Sequence, residues 1–402
     1  MGETTISQEQ ILAAQTAGHA FVKHTPITES AALGALTGGL IVLKAENLQR
    51  TGSFKIRGAL NKLASLGDAA RHGVVAGSAG NHGGALAFAA QANGVKCEIF
   101  VPAGASLSKI AACRTYGATI SEGGESLDNA VAHARERAEE TGMSFCHPYD
   151  DVAVIAGQGT LGLELIHDIN NLRLVVIPLG GGGLAGGTAI ALKQHDPSIK
   201  VIGVQVSACA PYANEPAPIG PVYTLADGIA VKRPGDITRP IIERWLDDIV
   251  VVDEDDVADA MILLMERSKM LVEGAGAVGV AALMRGLVTP AHNGATCVVL
   301  SGGNVDMGLI PGLVRRHETK SGRRLIIFAR ISDRPGGLAQ LLALFAAEGA
   351  NIIDVEHARE GIDLHVRETG VQLTLETRGP EHADLVMQAA RSAGYEITEL
   401  NR

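Results

Sequence analysis

Lys55 is the residue whose type and position most clearly indicate chemistry. An apolar run at residues 40–45 predicts a strand before it, and the apolar spacing over residues 59–66 predicts a helix after it, with Ser53 as the expected cap. A lysine in the first turn of a helix lies at the positive end of the helix dipole, which lowers the pKa of its amine. Such an amine suits nucleophilic attack on a carbonyl group and formation of a Schiff base. A solvated lysine on a helix surface is the alternative that spacing alone leaves open.

A run of glycines at residues 180–183 is the second feature with chemical meaning. It follows an apolar strand pattern at 172–177 and precedes a helix pattern, and backbone N–H groups at the start of a helix bind phosphate. Residues 181–186 also match the dinucleotide fingerprint GxGxxG, but that fingerprint requires an acidic residue at the end of the next strand, where Gln205 stands. The pattern therefore favours a site for a single phosphate, with a dinucleotide site and a plain turn as the alternatives.

Charge and composition argue against several classes of function. The 402 residues carry a formal net charge of −10 and contain no run of about five or more basic residues, so we expect no nucleic-acid partner and no binding to an anionic membrane. An apolar content of 46% predicts a globular protein with a sizeable core, and the length predicts more than one domain. The five cysteines lack CxxC and zinc-ligand spacings, which predicts reduced, buried thiols.

A long uncharged stretch at residues 174–192 does not predict a membrane span. Its length would suffice, but Pro178 and the glycine run interrupt a helix in its middle, so the segment predicts a strand, a loop and a helix. The first residues show no basic segment followed by an apolar core. We therefore expect a cytoplasmic protein without a signal peptide.

The elements that position these residues alternate regularly. Short apolar runs are separated by longer helix patterns, which predicts an α/β fold with parallel sheets. The last part of the chain instead follows the order β-α-β-β-α-β, which predicts an α+β domain of the ferredoxin-like type. The expected boundaries are 1–52 and 149–316 for a large lobe and 53–148 for a small lobe of one domain (1–316), 317–324 for a charged linker, and 325–402 for the second domain.

Five motifs occur in an order that is shared with a known family. They are Ser53-Phe-Lys-Ile-Arg-Gly-Ala59, Ser78-Ala-Gly-Asn-His82, Ala156-Gly-Gln-Gly-Thr-Leu161, Gly180-Gly-Gly-Gly-Leu184 and Ser301-Gly-Gly-Asn304. They resemble the fold-type II (tryptophan synthase β-like) pyridoxal-phosphate enzymes, which include threonine dehydratase, serine racemase and cysteine synthase. The resemblance implies two-lobed parallel sheets and pyridoxal 5′-phosphate as the cofactor.

The resemblance also implies roles for individual residues. Lys55 would bind the cofactor and act as the catalytic base, and Asn81 would contact the 3′-oxygen of the cofactor. The implied cofactor-binding residues are Phe54, Lys55, Asn81, Gly180, Gly181, Gly182, Gly183, Leu184, Glu273 and Ser301. The implied substrate-binding residues are Ser78, Ala79, Gly80, Asn81 and His82, although His82 taken alone suggests a capping or core histidine.

No metal ion is expected. Some members of the family bind a divalent cation with a glutamate at the end of a strand and an aspartate shortly after it. This chain has Gln205 and Pro211 at the corresponding places. Because two carboxylate ligands are missing, a tight Mg²⁺ or Ca²⁺ site is not predicted.

The turn Asp333-Arg-Pro-Gly-Gly337 follows the first strand of the second domain and makes it resemble an ACT domain, a module that binds small amino acids. The resemblance implies an amino-acid effector, with isoleucine or valine suited to a biosynthetic role, and pairing of domains in a homo-oligomer, a dimer or a tetramer. The candidate effector-binding residues are Asp333, Arg334, Gly336, Leu338 and Asn351.

The expected activity is that of a lyase. By its resemblance to threonine dehydratases with one ACT domain, the chain would convert L-threonine to 2-oxobutanoate and ammonia by α,β-elimination, with L-serine as a second substrate. Ala79 stands where serine racemase carries a second acid/base serine, which favours elimination over racemisation. A neutral Ser301 opposite the pyridine nitrogen favours prompt loss of the β-substituent. A serine or 3-hydroxyaspartate dehydratase or racemase is the alternative, and an amino-acid-binding protein with decayed catalysis is another.

Overall fold

The chain divides into two compact units, Met1–Asp306 and Met307–Arg402. The computed structural model describes residues 6–78, 80–213, 218–220, 222–358 and 365–400. The helices are α1 Gln8–Gly18, α2 Ala31–Thr37, α3 Lys55–Leu66, α4 Asn81–Ala92, α5 Leu107–Thr115, α6 Leu127–Thr141, α7 Val152–Asp168, α8 Gly183–His195, α9 Thr238–Trp245, α10 Glu254–Leu263, α11 Gly274–Met284, α12 Ile310–Lys320, α13 Gly337–Ala347 and α14 Pro380–Ser392.

The strands are β1 Ile27–Glu29, β2 Leu40–Lys44, β3 Val74–Gly77, β4 Cys97–Val101, β5 Thr119–Glu122, β6 Ser144–Phe145, β7 Leu172–Pro178, β8 Lys200–Val206, β9 Asp248–Val252, β10 Ala295–Val299, β11 Arg324–Ser332, β12 Asn351–Ala358, β13 Glu368–Glu376 and β14 Glu396–Glu399.

Two parallel sheets organise the first unit. One has six strands in the order β1-β2-β10-β7-β8-β9, parallel except for β1, which pairs antiparallel with β2. The other has four parallel strands in the order β5-β4-β3-β6, all within the segment 53–148 that is predicted as the small lobe. Strand β10 is buried at every residue, as in parallel sheets that are covered on both faces. The predicted α/β class is confirmed.

Glycines in α7 and α8 allow neighbouring helices to pack in close contact. Helix α7 packs against both α3 and α8. A Cβ atom on Gly157 would lie 2.6 Å from the carbonyl oxygen of Arg57, and one on Gly187 would lie 2.2 Å from that of Ile155. Side chains at these positions would push the helices apart. The motif at 156–161 therefore sets the position of α3, the helix that begins at Lys55.

The second unit contains an antiparallel sheet in the order β12-β13-β11-β14. Helices α13 and α14 bury Phe345 and Val386 in one core with Ile327 and Leu373 of the sheet. The order β-α-β-β-α-β agrees with the prediction. One detail differs: α12 continues to Lys320 and covers half of the segment expected as an unpatterned linker, because basic residues in its last turn favour a helix C-terminus.

Short elements were missed by the sequence analysis. The missed elements are β1, β6 and α2. Strand β6 has only two residues and β1 three, too few to show an alternation of polar and apolar side chains. All five cysteines are free and buried, as predicted. No helix among the described residues combines the length and the apolar character that a membrane-spanning segment needs.

Candidate active site

Lys55 is the first residue of α3, as predicted, and its amine is held inside the protein. The Nζ atom donates a hydrogen bond of 2.9 Å to the carbonyl oxygen of Pro148. Burial lowers the pKa of Lys55 to about 8, with the charge of Glu273 opposing this shift. The prediction of a lowered pKa was based on the helix dipole, whereas the structure adds desolvation by burial as a cause. An amine with this pKa exchanges protons readily near neutral pH.

The loop before Lys55 is tied to the segment around Ser301. The expected cap at Ser53 is wrong, because the cap residue is Phe54 and no side chain caps the helix. Ser53 instead forms a β-bridge with Gly302. The N–H group of Phe54 donates to the carbonyl oxygen of Ser301 at 3.1 Å. Two motifs that lie far apart in the sequence are therefore joined through their backbones, and pairing of Ser53 with Gly302 replaces helix capping.

Asn81 connects this region to Glu273. Its Nδ2 atom donates to Oε1 of Glu273 at 2.7 Å, and its Oδ1 atom accepts a hydrogen bond of 2.7 Å from Asn304 Nδ2. Burial raises the pKa of Glu273 to about 7, and the nearby charge of Asp227 adds to the shift. The N–H group of Glu273 donates to the carbonyl oxygen of Gly302 at 3.0 Å. Lys55, Asn81, Glu273 and the Ser301 segment thus lie together in the structure, and their roles toward a cofactor stay a prediction.

The glycine run lies between β7 and α8 and is held on two sides. Gly182 has a φ of +90°, which favours glycine, and α8 begins at the next residue. A Cβ atom on Gly181 would lie 2.2 Å from Cγ of Tyr149, so the aromatic ring lies directly against the loop. The hydroxyl of Tyr212 donates to the carbonyl oxygen of Gly181 at 3.3 Å. The first N–H groups of α8 have no partners within the helix and are therefore available to an anion.

Residues 148–149 connect the glycine run to the amine. Pro148 accepts the hydrogen bond from Lys55, and Tyr149, the next residue, contacts Gly181. This short connection places an anion-binding helix start and a primary amine within one site. Sequence reasoning assigned no role to Pro148 or Tyr149, because neither side chain belongs to a motif that suggests chemistry.

The predicted substrate loop has a rigid start. Ser78 Oγ accepts hydrogen bonds from the N–H groups of Gly80 at 3.3 Å and Gly83 at 3.0 Å. Burial lowers the pKa of His82 to about 3, so its ring is neutral, and Nε2 bonds to the carbonyl oxygen of Cys146 at 2.9 Å. These contacts agree with the alternative of a core histidine. Ala79 lies outside the described residues.

A family model described as pyridoxal-phosphate dependent enzyme matches residues 20–302. The chain belongs to this family. A curated relative, the L-threonine ammonia-lyase of Thermotoga maritima, is 42% identical over 98% of this chain and 99% of its own length. Among solved structures, a threonine deaminase from T.th. has a TM-score of 0.70 and 37% identity and covers 75% of this chain and 99% of its own. Maize serine racemase has a TM-score of 0.73 and 31% identity, and the match covers 79% of this chain and 99% of the racemase chain.

The residues of the site fit pyridoxal phosphate. The cofactor has an aldehyde, which suits the amine of Lys55, and a phosphate, which suits the N–H groups at the start of α8. The close contact of Gly181 with Tyr149 shows that this loop has no room for side chains. The fold-type II architecture and the dependence on pyridoxal phosphate therefore follow from the structure and the family together.

Gly181→Ala is expected to weaken cofactor binding by about tenfold, because its Cβ would force the loop or the Tyr149 ring to move and would misalign a donor to the phosphate. Titration of the apoprotein with pyridoxal phosphate, followed by absorbance, measures this change. Gly312→Ala in α12 is the matched control, since its Cβ would meet no atom within 4 Å. Equal affinity in the two variants would contradict the assigned role of the loop.

Gln205 occupies the end of β8, where some family members have an acidic metal ligand. Its Nε2 donates to the carbonyl oxygen of Leu179 at 3.2 Å, and its Oε1 accepts from the N–H groups of Tyr212 at 2.9 Å and Ala213 at 3.1 Å. The amide thereby satisfies groups from two segments without a cation. The expectation that no metal ion binds here stays a prediction.

A second group of possible metal ligands lies away from the amine. His24, Glu164 and Asp168 could offer ligand atoms within one small region of the described chain. However, the buried ammonium of Lys44 lies 2.7 Å from Oε2 of Glu164 and 3.5 Å from Oδ2 of Asp168. A positive charge is therefore already present, and these residues form an ion-pair network rather than a vacant site.

The candidate effector residues do not form one cluster within the second unit. Most of them lie in or next to the turn between β11 and α13: Asp333, Arg334, Gly336 and Leu338. Asn351 begins β12 at the opposite end of the strands, where it pairs in register with Glu376 and donates to its Oε2 at 3.0 Å. The two groups are separated by the length of α13. The effector assignment stays a prediction.

Proposed function

We propose that this chain is a threonine ammonia-lyase that converts L-threonine to 2-oxobutanoate and ammonia by α,β-elimination, with L-serine giving pyruvate as a side reaction. The observation that carries the proposal is the amine of Lys55, with its pKa lowered to about 8, beside Asn81 and Glu273. The match to an L-threonine ammonia-lyase over 98% of this chain supports the choice of substrate.

Lys55 is assigned as the base. Pyridoxal phosphate supplies, when bound, a conjugated ring that delocalises the electron pair released when the substrate Cα–H bond breaks. The Nζ atom of Lys55 takes the α-proton, and the carbonyl oxygen of Pro148, which accepts its hydrogen bond at 2.9 Å, orients it. The β-hydroxyl leaves as hydroxide, and the α-proton taken by Lys55 balances it, so the substrate loses one water molecule overall. Hydrolysis of the released enamine then gives the keto acid and ammonia.

The remaining site residues would bind the cofactor and orient it. The N–H groups at the start of α8 would hold the phosphate, and the Asn81 amide would donate to the 3′-oxygen. Ser301 is buried, and its hydroxyl would serve as a neutral partner of the ring nitrogen, without a full charge. Position 79 carries alanine, which has no side-chain proton donor. The resemblance places a second acid/base serine here in serine racemase, so its absence favours elimination over racemisation.

Keto-acid release from L-threonine and L-serine by the purified protein tests the activity. We expect 2-oxobutanoate from L-threonine at a higher rate than pyruvate from L-serine. The structural similarity to maize serine racemase makes a serine dehydratase or racemase, or its 3-hydroxyaspartate counterpart, the second candidate. Formation of the D-enantiomer without keto acid would favour that candidate. Binding of amino acids without turnover by a protein that retains cofactor would instead indicate decayed catalysis.

Regulation is assigned to the second unit. We propose that it is an ACT-like domain, that it binds an amino-acid effector such as isoleucine or valine, and that the chain forms a homo-oligomer in the cytoplasm. The sheet order β12-β13-β11-β14 with two helices in one core supports the domain type. Free, buried cysteines support a reducing compartment. Repeating the keto-acid assay with each branched-chain amino acid tests the effector, and suppression by one of them is the expected result.

A further inference from the structure

Asn304 ends the motif at residues 301–304, and neither the sequence analysis nor the proposed mechanism gives it a role. Its Nδ2 atom donates two hydrogen bonds, one of 2.9 Å to the carbonyl oxygen of Thr51 and one of 2.7 Å to Oδ1 of Asn81. The two hydrogens of this amide nitrogen are thereby both used. Asn304 connects the loop before Lys55 with Asn81, the residue proposed to contact the cofactor.

The direction of this hydrogen-bond chain is determined at the Thr51 end. A backbone carbonyl oxygen only accepts, so the atom of Asn304 that faces Thr51 must be the nitrogen. That same nitrogen faces Asn81, so the nearer atom of Asn81 must be its oxygen. The nitrogen of Asn81 then faces Oε1 of Glu273 at 2.7 Å. No other assignment of the two amides satisfies the carbonyl of Thr51.

The side chains of this hydrogen-bond chain pack against the backbone of two glycines, which leaves little space for the side chains to rotate. A Cβ atom on Gly52 would lie 2.2 Å from Oδ1 of Asn304, and one on Gly302 would lie 2.2 Å from Oε1 of Glu273 and 3.2 Å from Nδ2 of Asn81. The side chains therefore pack directly against backbone. Rotation of the Asn304 amide would bring its oxygen towards the carbonyl oxygen of Thr51, which is repulsive.

We infer that Asn304 is a positioning residue that fixes the amide of Asn81 with its NH₂ group towards the cofactor 3′-oxygen. Among the described residues, Asn81 Nδ2 donates one hydrogen bond to Glu273, which leaves its second N–H for a ligand. An N–H donor stabilises an ionised 3′-oxygen, whereas the amide oxygen would repel it. Asn304 thus sets the charge state of the bound cofactor without touching it. This inference rests on the proposed role of Asn81.

The test compares three variants by the visible absorption of the bound cofactor over a range of pH. In Asn304→Asp, an ionised carboxylate cannot donate to Thr51 or Asn81, and the Asn81 amide is expected to turn its NH₂ group towards Asp. The ratio of the yellow, long-wavelength band of the ionised 3′-oxygen to the near-ultraviolet band should then fall by about tenfold. The fall should become larger as the pH rises and the introduced carboxyl ionises. Asn304→Ala removes the donors without adding a charge and should change the ratio in the same direction by a smaller factor.

Asn47→Asp is the matched control. Asn47 is buried and its Nδ2 donates to the carbonyl oxygen of Leu271 at 3.1 Å, so the same substitution removes a comparable donor that does not bond to Asn81. We expect its band ratio to equal that of the wild type. Thermal melting of the apoproteins shows whether the variants lose similar stability. If Asn304→Asp does not fold, the band ratio of Asn304→Ala is the deciding measurement.

The outcomes separate this inference from the proposed function. A normal wild-type band with unchanged band ratios in both Asn304 variants would overturn the inference alone. An equal change in Asn47→Asp would also overturn it, since the effect would then come from general loss of stability. A wild-type protein that shows no cofactor band after reconstitution would overturn the proposed function and this inference with it.

Discussion

Replacing Lys55 with alanine is expected to abolish keto-acid formation and the absorbance of protein-bound cofactor, while the fold persists. The side chain lies at the start of α3, and among the described residues its amine donates to the carbonyl oxygen of Pro148. Little packing is lost with it. The proposed reaction, however, loses both its attachment point and its only base, so kcat should fall by at least about a thousandfold.

The matched control for this variant is Lys62→Ala. Lys62 lies on the same helix and its Nζ atom pairs with Oδ2 of Asp151 at 2.5 Å, away from Pro148. We expect near-normal turnover from this control and an intact cofactor band. Turnover of Lys55→Ala within tenfold of the wild type would exclude the assigned role of Lys55. Circular dichroism of both variants shows that the comparison is made between folded proteins.

Replacing Arg57 with alanine is expected to lower the free energy of unfolding by about 3–5 kcal/mol, the largest effect on stability that we predict. The guanidinium group is almost completely buried. It donates to both carboxylate oxygens of Glu46 at 2.8 Å and to Oε1 of Glu164 at 2.7 Å. Its removal leaves two carboxylates in the interior, with the ammonium of Lys44 paired to one of them. Burial alone would raise the pKa of Glu164, but Arg57 and Lys44 hold it below its usual value.

Urea unfolding of the apoprotein measures this effect as a lower midpoint. Arg239→Ala is the matched control, because Arg239 and Glu243 form an exposed pair one helical turn apart at 3.9 Å, and such pairs contribute about 0.5 kcal/mol or less. If Arg57→Ala unfolds at the same urea concentration as Arg239→Ala, the buried network does not hold the helices together. We expect instead that only the Arg57 variant has a lower urea midpoint than the wild type.

The regular elements of this protein were largely predictable from its sequence. Strand β7 was predicted at residues 172–177 and is observed at Leu172–Pro178, because a parallel strand covered on both faces is rich in apolar residues. The second unit was recognised from the order of its elements, because most of its strands and helices are long enough to show the periodic spacing of apolar residues. The short strands β1 and β6 carry no such signal, and they form only because a neighbouring strand offers free hydrogen-bonding groups.

The candidate site was predictable as a set of residues but not as a geometry. Local patterns placed Lys55 at a helix start and the glycine run after a strand, since both depend on interactions between near neighbours. The partners of Lys55 could not be predicted, because Pro148 lies 93 residues further along the chain. The same holds for Ser53, whose bridge with Gly302 replaces the expected cap.

By itself, the sequence determined the order of the elements, the glycine-rich start of α8 and the position of the lysine, because these follow from periodicity and from the backbone preferences of single residues. Only the tertiary structure decided the environment of these groups. Burial lowers the pKa of Lys55, and this burial depends on the folded chain around it. The direction of the Asn304–Asn81–Glu273 chain depends on a carbonyl group of Thr51 that folding brings next to it. Desolvation and hydrogen-bond direction depend on contacts between distant segments, which no local pattern contains.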